Sequence, residues 1–163
     1  MPELTDLSTI RALCEKYDFS LSKGYGQNFI INPGVCPKIV DGSGIDGRWG
    51  VIEIGPGIGV LTKELAEFHF TDSAAHIHNW VRGMNPWPAA WFVTSGGKKV
   101  KVMESRLAES AGETPGIVLA TKPLTVACGS GAIQLLRVVP EGSKPMEGSA
   151  FAAGLRLKAG DQL

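Results

Sequence analysis

One unit of strand, glycine turn and helix, with no second such unit behind it, most constrains what this chain can fold into. Gly50 to Ile54 is a short apolar run, Gly55-Pro56-Gly57-Ile58-Gly59 is a glycine-rich turn, and Val60 to Glu67 holds good helix formers. An apolar run without polar alternation reads as a strand buried on both faces, as in a parallel sheet covered by helices. Such a sheet needs further strands, each returning through a crossover helix. Past Phe70 the sequence supplies short, closely spaced β segments instead. One pattern therefore gives way to another near residue 67, and the second is that of a small barrel. No Pro/Gly/Ser linker stands between them.

The flanking segments fit that division. Leu7, Ile10, Leu13, Cys14 and Tyr17 recur at helical spacing behind a cap at Thr5 or Asp6. Asn32-Pro33 offers another cap, which predicts a short helix over 34–41 before the loop Gly42-Ser43-Gly44. Thr71-Asp72-Ser73 predicts a further helix start, ahead of Ala74, Ile77, Val81 and Met84 on one face. Strands are expected over 89–94, 99–104, 116–121, 124–128 and 132–139, with Gly129-Ser130-Gly131 as a hairpin turn. Residues 140–148 read as a loop, 149–154 as one helical turn and 155–163 as a closing strand.

With 44% hydrophobic and 20% charged residues, the 163-residue chain has a globular composition and room for one domain or two small ones. Its formal charge of zero hides an uneven split: residues 1–67 carry 6 basic and 9 acidic side chains, residues 68–163 carry 10 and 7. The excess of three in the back part hints at an RNA partner and falls far short of polybasic density. Cys14, Cys36 and Cys128 form no CxxC pair and read as reduced, mostly buried thiols. No window reaches the roughly 18 apolar residues of a membrane span, and Met1-Pro2-Glu3 lacks the order of a signal peptide. The cytoplasm is the expected compartment. His76 and His78 stand two apart on a helix and point to different faces, so no metal site is expected. Trp80, Trp87 and Trp91 offer base-stacking surfaces, yet packing is the better reading, with prolines fixing Trp87.

The glycines at 55, 57 and 59 let the backbone pass close to a nucleotide-like ligand, and the helix start behind them adds partial positive charge. From those residues alone a plain structural turn reads equally well. The longer context is more specific. Gly24-Tyr25-Gly26-Gln27-Asn28-Phe29-Ile30, about 25 residues ahead of Val51-Ile52-Glu53-Ile54-Gly55-Pro56-Gly57, resembles the ribosomal RNA adenine dimethyltransferase family, over residues 1–67. The resemblance implies a Rossmann-like methyltransferase that uses S-adenosylmethionine to dimethylate adjacent adenines of small-subunit ribosomal RNA. It implies cofactor contacts at Asn28, Ile30 and Gly55, with Glu53 and Gly57 shaping the loop.

Two features of that family are missing. One is the acidic residue that holds the cofactor ribose, about 20 residues beyond the glycines. Asp72 stands near that distance but in a helix start, where capping is the better reading. The other is the Asn-Leu-Pro-Tyr-type motif for the target adenine, and Asn85-Pro86-Trp87-Pro88 belongs to a different context. No methyl transfer, no catalytic residue and no bound cofactor are expected; S-adenosylmethionine is the ligand if the fragment is competent.

Ala75-His76-Ile77-His78-Asn79-Trp80-Val81-Arg82-Gly83-Met84-Asn85-Pro86-Trp87-Pro88-Ala89-Ala90 resembles the entry to the C-terminal domain of methionyl-tRNA formyltransferase. Gly116-Ile117-Val118-Leu119, Val126-Ala127-Cys128-Gly129, Pro140-Glu141-Gly142, Lys144-Pro145-Met146 and Leu157-Lys158-Ala159-Gly160-Asp161 follow in that family's order, so the resemblance covers residues 69–163. It implies a small OB-like barrel that helps to hold initiator tRNA, while formyl transfer belongs to another domain. Phosphate-directed contacts are expected from Arg82, Lys98, Lys99, Lys101, Arg137 and Lys144. For each of them a solvated surface charge reads at least as well.

The predicted class is α+β: an incomplete Rossmann-like βα fragment over 1–67, then a small OB-like β-barrel over 68–163. The expected function is weak, salt-sensitive contact with tRNA or rRNA, without catalysis and without membrane or metal partners. The alternatives are S-adenosylmethionine-dependent rRNA adenine-N6,N6-dimethylation and a chimeric product with no evolved function.

Overall fold

A computed structural model describes residues 4–18, 30–44, 51, 53, 54, 57–86 and 88–163. The chain divides into two compact units, Met1–Leu65 and Ala66–Leu163.

In the first unit, helix α1 spans Leu7–Lys16. Its cap is Asp6, whose carboxylate accepts from the Thr9 backbone N–H at 3.2 Å and from the Ser8 hydroxyl. Ile10 is the buried residue of its apolar stripe. Helix α2 spans Val35–Ser43 and takes Gly34 as N-cap rather than Asn32. The Asn32 side-chain oxygen accepts from the Gly34 N–H at 2.9 Å, so Asn32 shapes the turn that leads into the helix. Gly44 ends α2 with φ +65, a left-handed position that suits glycine. Helix α3, Val60–Leu65, packs against α2. Of the strand expected over 50–54, residues 50 and 52 lie outside the described residues, and 51, 53 and 54 carry no ladder pairing.

The second unit opens with helix α4, Ala74–Met84, where the Ser73 hydroxyl accepts from the His76 N–H at 3.2 Å. Asp72 is not the cap. It closes the preceding turn, taking the His69 N–H at 3.2 Å and donating its own N–H to the His69 carbonyl at 2.9 Å. Six strands follow: β1 Trp91–Val93, β2 Lys99–Ala108, β3 Val118–Thr121, β4 Leu124–Ala127, β5 Ala132–Pro140 and β6 Met146–Glu147. Helix α5, Gly148–Gly154, comes next. Strand β6 lies inside the expected 140–148 loop, and the closing strand expected over 155–163 does not form.

The sheet is antiparallel, in the order β1-β2-β5-β4-β3, with β6 also paired to β5. This path is open, which corrects the expected closed barrel. Both of its ends are already occupied by irregular chain. Phe68 donates to the Trp91 carbonyl at 2.9 Å and Trp91 to the Ala66 carbonyl at 3.0 Å, so residues 66–68 cover β1. Val118 donates to Asp161 at 2.9 Å, Gly160 to Val118 at 2.8 Å and Leu163 to Gly116 at 3.0 Å, so the C-terminal segment covers β3. Edge groups satisfied in this way are not available to pair with each other.

One core holds the second unit together. Ile77 and Val81 of α4, Val100 and Val102 of β2, Ile133, Leu135 and Val138 of β5, and Phe151 of α5 are buried in it. Phe68, Phe70 and Phe92 meet within it at centroid distances of 5.6, 5.5 and 5.0 Å. Two glycines permit the closest approaches: a Cβ at Gly148 would lie 1.8 Å from the Leu135 carbonyl oxygen, and one at Gly129 would lie 2.0 Å from that of Thr71. Among the described residues no helix is long and apolar enough to cross a membrane.

Candidate nucleic-acid interface

The residues assigned to cofactor contact belong to the first unit. Asn28 and Gly55 lie outside the described residues. Ile30 is half-buried in irregular chain ahead of α2, and Gly57 is exposed, with φ +56, in the turn before α3. Glu53 is half-buried and its carboxylate accepts from the Thr62 hydroxyl of α3, so this carboxylate is already tied to the following helix.

The six basic candidates of the second unit fall into three environments. Arg82 is exposed on α4. Arg137 is exposed on β5, but the sheet register sets it opposite Glu104 of β2 on one side and Glu147 of β6 on the other. Its strand neighbours on both sides are thus acidic, a charge balance opposite to that around a cluster of lysines. Lys98, Lys99, Lys101 and Lys144 gather at the other end of this part of the sheet. Val100 of β2 pairs with Pro140 of β5, and Glu141 donates its N–H to the Lys99 carbonyl at 2.9 Å. The β1–β2 turn and the β5–β6 turn are therefore neighbours. Lys98 and Lys144 are exposed in those turns, while Lys99 and Lys101 are half-buried on one face of β2. The Lys99 ammonium rests 4.2 Å from the centroid of the Trp91 ring, a cation–π contact that fixes the side chain.

The described tryptophans, Trp80 and Trp91, pack. Trp91 is 4% exposed and Trp80 is partly buried against the core, whereas Trp87 lies outside the described residues. Trp80 also meets the His76 ring edge-on at 4.7 Å. His78 Nδ1 is 2.9 Å from the Ser105 hydroxyl. The two histidines thus have separate partners, and the described residues contain no group of His, Cys, Asp and Glu side chains fit for a metal.

Sequence reasoning missed a cleft of about 460 Å³ between the β2–β3 loop and the β4–β5 turn, lined by Ser110, Glu113, Thr114, Cys128 and Ser130 among others. Its one signal in the sequence is the string Ser110-Ala111-Gly112-Glu113. The Glu113 carboxylate accepts from the Ser110 hydroxyl at 2.5 Å and the Ala111 N–H at 3.0 Å. Those bonds, the Ser110 one foremost, hold its carboxyl below the ordinary range. It staples the loop, and among the described residues no cation lines the cleft to receive a phosphate.

Comparison with known proteins separates the two parts of the chain. The family described as ribosomal RNA adenine dimethylase matches residues 18–75, and the formyl transferase C-terminal domain family matches residues 60–156. A methionyl-tRNA formyltransferase of Methylobacterium sp. (strain 4-46) is 43% identical over 106 residues, which cover 63% of this chain and 34% of that protein. A second, from Solibacter usitatus, is 41% identical over 105 residues, covering 64% and 33%. The chain thus spans about a third of the length of these relatives. HypX from Aquifex aeolicus, solved in complex with tetrahydrofolic acid, shares the fold at a TM-score of 0.52 and 18% identity, over 62% of this chain and 19% of that one. The stretch from residue 60 to 156 takes in α4, the whole sheet and α5, more than half of the 163 residues, and by it the chain belongs to the formyl transferase C-terminal domain family.

Proposed function

We propose that Ala66–Leu163 is an RNA-contacting module of the methionyl-tRNA formyltransferase type, and that the first unit adds a fragment of an rRNA adenine dimethyltransferase without methyl transfer. The observation that carries this reading is the family match over 60–156, together with relatives named methionyl-tRNA formyltransferase at 41–43% identity over the same region. The chemistry available there suits it. The six basic candidates offer charge to a phosphate backbone and no base-reading pattern, which supports affinity with little sequence preference. A cytoplasmic setting in translation follows from the same reading. The test is fluorescence anisotropy of the full chain with unacylated methionine-accepting tRNA at low and moderate salt. Salt-sensitive binding is expected, and a flat titration at low salt would overturn the proposal.

A second reading, S-adenosylmethionine binding and rRNA adenine dimethylation, draws on the match over 18–75. Against it stands the tie of Glu53 to Thr62, and a cofactor pocket of this class needs walls from several successive strands. Isothermal titration with S-adenosylmethionine decides between the two: no heat of binding is expected, and saturable binding would favour the methyltransferase.

A further inference from the structure

The phosphate-contacting surface of the second unit is narrower than its basic composition suggests. We infer that it is the corner where the β1–β2 turn abuts the β5–β6 turn, with Lys98 and Lys144 as its contacting groups and Lys99 as a fixed third charge. This rests on the RNA-contacting reading above and names the site within it. Three observations converge on that corner. Residues 94–99 and 140–145 bring three lysines against one acidic residue, Glu141, which is engaged in an interaction of its own. At Arg137 the balance is the reverse, one cation between Glu104 and Glu147.

The second observation is rigidity. Thr94 donates to the Lys98 carbonyl at 2.9 Å, Lys98 donates back to the Thr94 hydroxyl at 3.1 Å, and Ser143 donates to the Pro140 carbonyl at 3.0 Å. The Ser95 hydroxyl adds a bond of 3.2 Å to the Gln162 carbonyl. Charges held on pinned turns lose less freedom when they meet a ligand than charges on loose ones. The third is access. Gly97 and Gly142 sit at φ +77 and +72, and beyond their chain neighbours no atom lies within 4 Å of where a Cβ would stand, so no other segment covers either turn at that point.

The test uses the full chain and two probes, unacylated methionine-accepting tRNA and an unrelated RNA hairpin, across a salt series. The double variant Lys98→Glu/Lys144→Glu is compared with a charge-matched pair elsewhere, Arg106→Glu/Lys122→Glu. Losing two phosphate contacts lowers affinity at low salt by about tenfold or more, and shrinks the log-log salt slope by about 1.5. The matched pair retains affinity within about threefold and keeps its slope. Circular dichroism confirms that both variants fold, and their exposed positions favour that. If the parent binds and the corner variant binds equally well, or the matched pair loses as much, the corner is wrong while the RNA reading stands. A parent that binds neither probe removes both.

Discussion

At the scale of single residues, Cys128 shows how burial decides chemistry. Its thiol is 4% exposed beside the core, and burial first, then the Asp72 carboxylate, pushes its pKa up to about 12. A thiol that stays protonated is a poor nucleophile, so iodoacetamide at mildly alkaline pH is expected to leave Cys128 intact in the folded chain and to modify it once urea unfolds the unit. The same shift fixes a pH dependence. Below the ordinary thiol value of about 9 both folded and unfolded states hold the proton, and this group leaves stability unchanged. From about 9 towards about 12 the unfolded state ionises first, so stability falls as pH rises. Urea midpoints against pH, with Cys128→Ala as the control that lacks this slope, check the sign. Gly148 is a residue of a different kind. A methyl there would strike the Leu135 backbone at 1.8 Å, and neither partner has a flexible end to yield. Gly148→Ala is expected to cost about 1–3 kcal/mol, as overpacking does, read as a lower urea midpoint.

At the scale of elements, what could be read from the sequence is what is settled locally. Ser73 caps α4 from a position three residues from its partner, and Ser73→Ala is expected to cost about 1 kcal/mol in thermal unfolding. Helices α1, α2 and α4 lie where their caps and periodic apolar residues predict them, to within a few residues at each end. The cover of β1 by residues 66–68 was not legible, because those residues are distant in sequence from β1, whereas the C-terminal segment does reach the sheet but covers β3 as irregular chain rather than as a strand. Nor were the acidic neighbours of Arg137 legible, since Glu104 and Glu147 come beside it only through the register of β2, β5 and β6. Even the break in register around Glu104 has no mark in the alternation of Lys99 to Val102. The C-terminal cover of β3 is held by Leu163, 5% exposed in the core. Leu163→Ala is expected to cost about 2 kcal/mol or more. Its specific mark is faster hydrogen exchange at the Val118 amide, which donates to Asp161, while the Val126 amide of central strand β4 keeps its protection relative to global unfolding.

For the molecule as a whole, apolar burial among the described residues is divided very unequally between the two units. Among the described residues before Ala66, the buried apolar side chains are Ile10 and Cys36, while Leu7, Ile31, Val35, Ile39, Val51 and Ile54 stay exposed, Ile54 at 95%. The second unit buries three phenylalanines in mutual contact together with the inward side chains of α4, β2, β4, β5 and α5. Each fully buried large apolar side chain contributes about 1.5–3 kcal/mol, and ordering each residue costs about as much, so the described helices of the first unit draw little stability from burial of their own side chains. In hydrogen exchange on the full chain, amides of α4, β2, β4 and β5 are expected to exchange only through cooperative unfolding, with protection that falls together as urea is added. Amides of α1 and α2 are expected to exchange at least a hundredfold faster, by local opening. Equal protection in the two units would mean that the first finds apolar partners beyond its own helices. Adding S-adenosylmethionine sharpens the same measurement, because a ligand that binds only the folded form raises protection by the factor one plus the ratio of its concentration to its Kd. Protection of α2 and α3 that rises with cofactor concentration would return the methyltransferase reading to the first unit. On the proposed reading, in which the first unit carries no methyl transfer, no change is expected.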